Sequence, residues 1–280
     1  MSDTRLIVSA DDFGLTEGHN CAIVEAHTCG VLTSASLLAC GMAFDDAVER
    51  ARLMPMLGIG VHLTLLEGVP VLPVAEVPDL VDGRGRFGLS WAALFRRLAL
   101  GRVRLEQVRR EWRAQVEKVI ATGLPVTHLD SHKHIHMHPQ LLEVALTLAD
   151  EFGVRRMRLS RPASLASGVK PALLELLAAW ARRRMAQWGV LAPDALLGLE
   201  SSGQMNTTRV LTVLRQPWHG TRELMMHPAY PSSALEQLLE GGYRWIAGYQ
   251  FEGELAALCD PTVRRLLDEA GVRRIHYGDL

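Results

Sequence analysis

The chain reads as one α/β domain of about seven parallel strands, an irregular (β/α) barrel type of fold. Three observations predict this. Short apolar runs alternate with helical patterns, which is the order of βαβ units. Polar clusters recur just after the predicted strands. The 280 residues show no repeat, low-complexity stretch or clear linker, so residues 1–280 are expected to form a single domain.

In chain order, residues 5–10 (RLIVSA) are an apolar strand ending in the turn signature Asp-Asp-Phe-Gly. Residues 17–29 follow as a helix with Ala22, Ile23 and Ala26 on its apolar side, and Gly30 is its stop. Residues 34–39 form a strand, 44–53 a helix and 57–62 a third strand. Residues 66–89 break the rhythm. Their three prolines and four glycines predict a long excursion of the functional kind. Helices over 90–100 and 105–122 precede a strand at 126–130. A helix over 140–152 and a strand over 155–159 come next. Residues 161–204 carry a weaker pattern, with a helix over 172–188 and a short strand at 196–199. Then follow a helix at 206–214, a strand at 223–226, helices near 232–240 and 260–270, and a strand at 272–276.

Composition bounds the function. Hydrophobic residues are 48% and charged residues 22%, ample for a core. A formal net charge of −1 argues against a nucleic-acid surface. The basic runs Arg96-Arg97, Arg109-Arg110 and Arg182-Arg183-Arg184 lie in helical patterns. They read as solvated helix faces or, alternatively, as contacts to anionic lipid or a partner. Cys21, Cys29, Cys40 and Cys259 form no CxxC pair, so they read as free, mostly buried thiols of a cytoplasmic protein. The N-terminus lacks the apolar stretch of a signal peptide, and no run is long enough to span a membrane.

Three polar clusters fall at the carboxyl ends of predicted strands, where parallel α/β folds carry their active sites. Asp11-Asp12 is the first. It suits a turn and helix cap, or one carboxylate for a metal and one for substrate. His62 is the second. It shares a strand face with Gly58 and Gly60, which leave space in front of the imidazole; alone it also suits a hydrogen-bonded core position. The third, residues 127–139 (THLDSHKHIHMHP), holds five of the 11 histidines. His128, Asp130, His132, His134, His136 and His138 share parity, but Pro139 blocks a continuous strand. The strand therefore ends near Asp130 and the later histidines fan out, one or two as ligands and others as orienting or substrate-contacting groups. Parity does not select among them. His227, before Pro228 at another strand end, is the candidate proton donor. His19, His27, His219 and His276 read as surface or packing residues.

One Asp and two His make a mixed N/O site of the catalytic type, with positions open to water. Residues 9–15 (SADDFGL), 60–64 (GVHLT), 128–136 (HLDSHKHIH) and 226–228 (MHP) resemble the YdjC-like carbohydrate deacetylases along nearly the whole chain. That resemblance implies a seven-stranded irregular barrel, Asp12, His62 and His132 as ligands of a divalent cation, Asp11 as general base, and a homodimer. It implies magnesium, whereas two imidazoles suit zinc or another transition metal better. Residues 76–87 (EVPDLVDGRGRF), 198–203 (GLESSG) and 254–258 (ELAAL) resemble the family's hopanoid-biosynthesis-associated branch. The expected substrate is thus an N-acetylglucosamine-containing sugar or glycolipid, chitooligosaccharide or hopanoid-linked, which loses its acetyl group as acetate. Peripheral membrane contact fits the glycolipid case. Two competitors are a glycosidase with Asp11 and Asp130 as its carboxylate pair and a non-catalytic metal- or sugar-binding protein.

Overall fold

A computed structural model describes residues 4–163 and 169–280. Residues 1–3, where the expectation of no leader begins, and 164–168, inside the weakly patterned stretch, lie outside the described residues. The described residues form seven parallel strands: β1 (Thr4–Phe13), β2 (Ser34–Leu37), β3 (Gly58–Leu63), β4 (Val126–Ser131), β5 (Ala195–Leu197), β6 (Gly220–Met226) and β7 (Arg273–Ile275). The order is β4-β3-β2-β1-β6-β5, and β7 pairs with the first half of β1. The expected strand over 155–159 is reduced to single parallel bridges, Leu129–Met157, Arg156–Leu191 and Pro162–Leu196. These bridges still join edge strands β4 and β5, so an irregular stretch links the two sides of the curled sheet.

The helices follow their patterns: α1 (Glu17–Thr28), α2 (Phe44–Arg52), α3 (Trp91–Ala99), α4 (Leu105–Ile120), α5 (Pro139–Glu151), α6 (Val169–Gln187), α7 (Thr207–Leu214), α8 (Ser233–Glu240), α9 (Phe251–Cys259) and α10 (Pro261–Glu269). Only α9 has no counterpart among the expected elements. Its buried Glu254 interrupts the apolar pattern.

Strand parity sorts side chains into two environments. Leu6, Val8, Ala35, Leu37, Ile59, Val61, Leu129 and Leu224 join the apolar layer shared with the helices. The alternate residues Ser9, Asp11, Ser34, Ser36, His62, His128, Asp130 and Glu223 are equally buried but polar. The register aligns them, with Ser36 beside Gly60, Gly60 beside His128 and His62 beside Asp130. The core between sheet and helices is thus apolar, and the concave side of the sheet holds a charged network.

Three expectations need correction. β1 does not end before Asp11; it runs to Phe13 through a bulge that shifts its register against β2 between Ala10 and Phe13. The glycines of β3 do not leave space in front of His62. A Cβ on Gly60 would lie 2.3 Å from His128 Nε2, and one on Gly58 would lie 2.9 Å from His276 Cβ, so packed histidines fill both spaces. The free cysteines are not mostly buried: Cys29 is exposed and the other three are half-buried.

The 66–89 excursion holds only a short 3-10 turn, Val74–Glu76, and one antiparallel bridge, Val81–Phe87. Helix α4 keeps it in place. Gln107, Glu111 and Gln115, four residues apart on one buried face, accept backbone N–H groups from Asp79, Val71, Leu72 and Thr64 at 2.9–3.1 Å. Backbone amides that lack a sheet partner are thereby satisfied by side chains, which makes burial of this loop tolerable.

Candidate metal and catalytic centre

The bulge in β1 decides how adjacent carboxylates serve one site. Asp12 adopts a left-handed backbone (φ 62°), which breaks the strand's alternation. Asp11 then points down into the network and Asp12 across the mouth. Asp12 Oδ1 lies 3.3 Å from His132 Nδ1 and 3.7 Å from His62 Nε2. One ligand atom from each of these three buried residues lies within 4.8 Å of the others. Both Asp12 oxygens and His62 Nε2 are buried without a hydrogen-bond partner among the described residues. Orphaned buried acceptors are costly, and facing donors that stop short of hydrogen-bond geometry are what a shared cation would require. The residues therefore fit a divalent metal, and their one-carboxylate, two-imidazole set is a catalytic type of donor set.

Each imidazole is oriented from behind. His62 Nδ1 is 2.9 Å from Asp130 Oδ1, and His132 Nε2 is 3.1 Å from Glu67 Oε2. Carboxylate-backed histidines are the usual outer-shell arrangement at metal sites. Glu67 also takes Lys133 Nζ at 2.6 Å and Trp245 Nε1 at 2.8 Å. Burial opposes charge on all these groups, but their mutual attraction outweighs it. Asp12 is held well below the usual carboxylate range by His132, His62 and His227, and Asp12 and Glu67 push His132 up to about 9.

Beneath the mouth, Arg158 is fully buried. It holds both Asp11 oxygens at 2.7 Å, Asp130 Oδ2 at 2.6 Å and Glu223 Oε1 at 2.7 Å. Ser9 and Tyr277 donate to Glu223, each at 2.5 Å, and Ser36 donates to Asp130 at 2.8 Å. Across the mouth, His227 Nε2 is 4.0 Å from Asp11 Oδ2, and its Nδ1 is 3.5 Å from Glu254 Oε2. Glu254 also accepts the backbone N–H of His227 and that of Met205, which fixes α9 against this strand end. Burial lowers the His227 pKa, yet Glu254, Asp11 and Asp12 raise it overall.

The sequence profile of the YdjC-like protein family matches residues 5–269. This chain belongs to the YdjC-like family. Relatives named carbohydrate deacetylase include one from Enterococcus faecalis strain V583, 41% identical over 288 residues and covering 100% of this chain and 99% of that protein. One from Geobacillus stearothermophilus is 34% identical and covers 98% of this chain and 96% of that protein. One from Brevibacillus brevis is 45% identical over 150 residues, so the match spans 57% of that protein's length. A crystal structure of an Enterococcus faecalis V583 protein, described as a candidate cellobiose-phosphate cleavage protein, superposes with a TM-score of 0.79 at 30% identity, covering 99% of both chains.

In this YdjC-like chain the geometry brings together Asp11, Asp12, His62 and His227 from the strand-end clusters with His132, which the resemblance and not strand parity had singled out. The rest of the histidine run is dispersed. After β4 the chain makes a 3-10 turn, His132–Met137, with Lys133 and His134 at φ 51° and 55°. His128 stacks on Tyr277 at 3.8 Å inside the sheet. His134 meets Ser160, and His136 bridges Ser131 to the Arg158 carbonyl. His138 packs on Phe95 at 4.6 Å, facing away from the cluster. His128 is held down to about 3 and His136 to about 4, because burial disfavours their charged forms. Sequence reasoning missed Arg158, Glu67, Glu223, Glu254 and Trp245. Glu223 had a usable signal, since it shares strand parity with His227. Arg158 had a weaker one, as a charged residue inside an expected strand. Glu67 and Trp245 had none, because loops bring them in.

Proposed function

We propose that this chain is a metal-dependent N-deacetylase that acts on an N-acetylglucosamine-containing sugar or glycolipid, chitooligosaccharide or hopanoid-linked, and releases acetate. The observation that carries this reading is the buried Asp12–His62–His132 cluster with its unpartnered faces, set directly beside the clamped carboxylate of Asp11. A divalent cation held by these three residues would polarise the acetamide carbonyl and make a water molecule more acidic. The donor set favours zinc or another transition ion, although the family resemblance implies magnesium.

The protein's own groups supply the rest. Arg158 fixes both Asp11 oxygens, and each keeps a second lone pair that can accept a proton from the attacking water. His227, oriented by Glu254, stands on the other side of the mouth and can protonate the departing nitrogen. Water and amide thus become acetate and a free amine. The glycosidase alternative is disfavoured by a specific contact. Asp11 and Asp130 are joined through one guanidinium below the mouth, and Asp130 is fully buried, so the two cannot flank a sugar ring.

Acetate release from diacetylchitobiose and from an N-acetylglucosaminyl lipid, measured side by side with zinc, manganese or magnesium, tests this reading. Release that needs a metal supports it. Tight metal or sugar binding with no product from either substrate would leave the non-catalytic binding protein as the better account. The homodimer and cytoplasmic setting belong to the same proposal, and light scattering on the purified chain checks the former.

A further inference from the structure

Beside the metal-binding cluster lies a small recess that the proposed chemistry has not used. It holds about 10 Å³, roughly the room of one water-sized group. Asp12 and His132 form part of its wall. Leu15, Leu38, Cys40, Leu66, Tyr243 and Trp245 form most of the rest. The three leucines and Tyr243 are buried. They come from the ends of β1, β2 and β3 and from the segment after α8, so four parts of the chain meet here.

The polar groups on these walls are engaged elsewhere. Trp245 Nε1 donates to Glu67 at 2.8 Å, and its ring lies 5.5 Å from His132. The Glu67 oxygens take His132, Lys133 and Trp245. The Thr64 hydroxyl donates to the Leu66 carbonyl at 2.7 Å and accepts the Leu66 N–H at 3.1 Å. A thiol such as that of Cys40 is only a weak donor. A trapped water needs about two to four polar partners, and Asp12 keeps its oxygens for the cation. The recess therefore suits an apolar group better than a water molecule. Size separates it from its neighbour. A cleft of about 520 Å³ shares Glu67, Gly68, Tyr243 and Trp245 with it but touches neither Asp12 nor His132. The cleft has room for a sugar ring, and the recess does not.

We propose that this recess receives the methyl of the scissile acetyl group, so that Leu38, Cys40 and Leu66 set the length of acyl chain the protein removes. The proposal rests on the deacetylase reading and adds what that reading leaves open, the selection of acetyl over longer acyl groups. A carbonyl held at the cluster carries its methyl one bond away, beside the recess that Asp12 and His132 border. A further methylene has nowhere to go among closely packed leucines, because such interiors yield little.

Whichever acceptor releases acetate, the disaccharide or the lipid, is prepared with N-formyl, N-acetyl, N-propionyl and N-butyryl groups. kcat/KM should fall at least about tenfold from acetyl to propionyl, and further to butyryl. Leu38→Ala trims the wall and should bring propionyl within about threefold of acetyl. Leu38→Val, a milder cut, should move the ratio the same way if the alanine variant does not fold. Cys40→Leu fills the recess and should raise the formyl-to-acetyl ratio at least about tenfold. These are ratios on one preparation, so partial loss of folded protein does not move them. Calorimetric titration gives a readout apart from turnover. The zinc-loaded chain should bind acetate at least about tenfold more tightly than butyrate, and the Leu38 variants should narrow that difference. Equal rates across the acyl series in the parent, or ratios unchanged in the Leu38 and Cys40 variants, would overturn the recess and leave the deacetylase reading standing. No acid from any acceptor would remove both.

Discussion

Arg158 grips Asp11 through both carboxylate oxygens at 2.7 Å, and the same guanidinium reaches Asp130, the carboxylate that orients His62. One buried cation therefore connects the proposed base to a proposed metal ligand. It also offsets three carboxylates that could not otherwise be buried together.

Removing that cation should be expensive. Arg158→Met leaves Asp11, Asp130 and Glu223 buried and unpaired, and should cost about 3–5 kcal/mol in urea unfolding. Arg158→Lys keeps the charge but lacks the planar fork that matches a carboxylate. It should fold with a smaller loss, yet lower kcat for acetate release at least about tenfold with KM little changed. A fully active Lys variant would show that orientation of Asp11 does not matter.

Asp12 and Asp11 should separate cleanly. Asp12→Asn keeps a residue that tolerates the left-handed backbone, so the fold should persist while bound metal falls from one equivalent to near zero by elemental analysis. Asp11→Asn should retain the metal and lose acetate release. Chelation should lower the Tm of the parent, since a ligand that binds only the folded state stabilises it, and should leave the Tm of Asp12→Asn almost unmoved.

Glu67→Gln probes the group behind His132. Outer-shell partners of metal-bound histidines are worth roughly 10–100-fold in affinity. A chelator competition should give a loss in that range, whereas unchanged affinity would reduce Glu67 to a partner for Lys133 and Trp245.

The buried neutral histidines predict acid sensitivity. His128 and His136 are held down to about 3 and about 4, below the 6.5 expected when unfolded. The unfolded chain therefore binds their protons first, so the stability they allow is complete above pH 6.5 and is lost as pH falls towards 4. Each should add roughly 1.4 kcal/mol per pH unit to the slope in that window. His136→Gln should flatten the slope measured by urea unfolding at stepped pH, even if it lowers stability at pH 7.

Much of this arrangement was legible. The βαβ rhythm depends on local apolar periodicity, so the start of β1, β2 to β4 and their helices fell where expected. Asp11, Asp12, His62 and His227 announced themselves because strand ends in a parallel sheet converge. What stayed hidden was contributed by irregular backbone. The bulge at Asp12 cannot be read from residue types that also suit a turn. The stretch carrying Arg158 reads as a strand but bonds to its neighbours only at single bridges, so its pattern did not show where the guanidinium goes. The four non-glycine residues at positive φ among the described residues, Asp12, Glu67, Lys133 and His134, all sit at or beside the cluster. Sequence rules fail there because the surrounding contacts hold sparsely populated conformations at a working site.

The anchoring of the 66–89 excursion has a consequence for how this surface can vary. Gln107, Glu111 and Gln115 grip the loop by its amide groups and are indifferent to the side chains those residues carry. At positions 71 and 72 any side chain that still packs on the core keeps the grip, whereas Asp79 also holds Arg104 at the start of α4. Proline is barred, although Pro70, Pro73 and Pro78 adjoin them. The loop beside the mouth can therefore drift towards new substrates while its path over α4, and with it Glu67 behind His132, stays put.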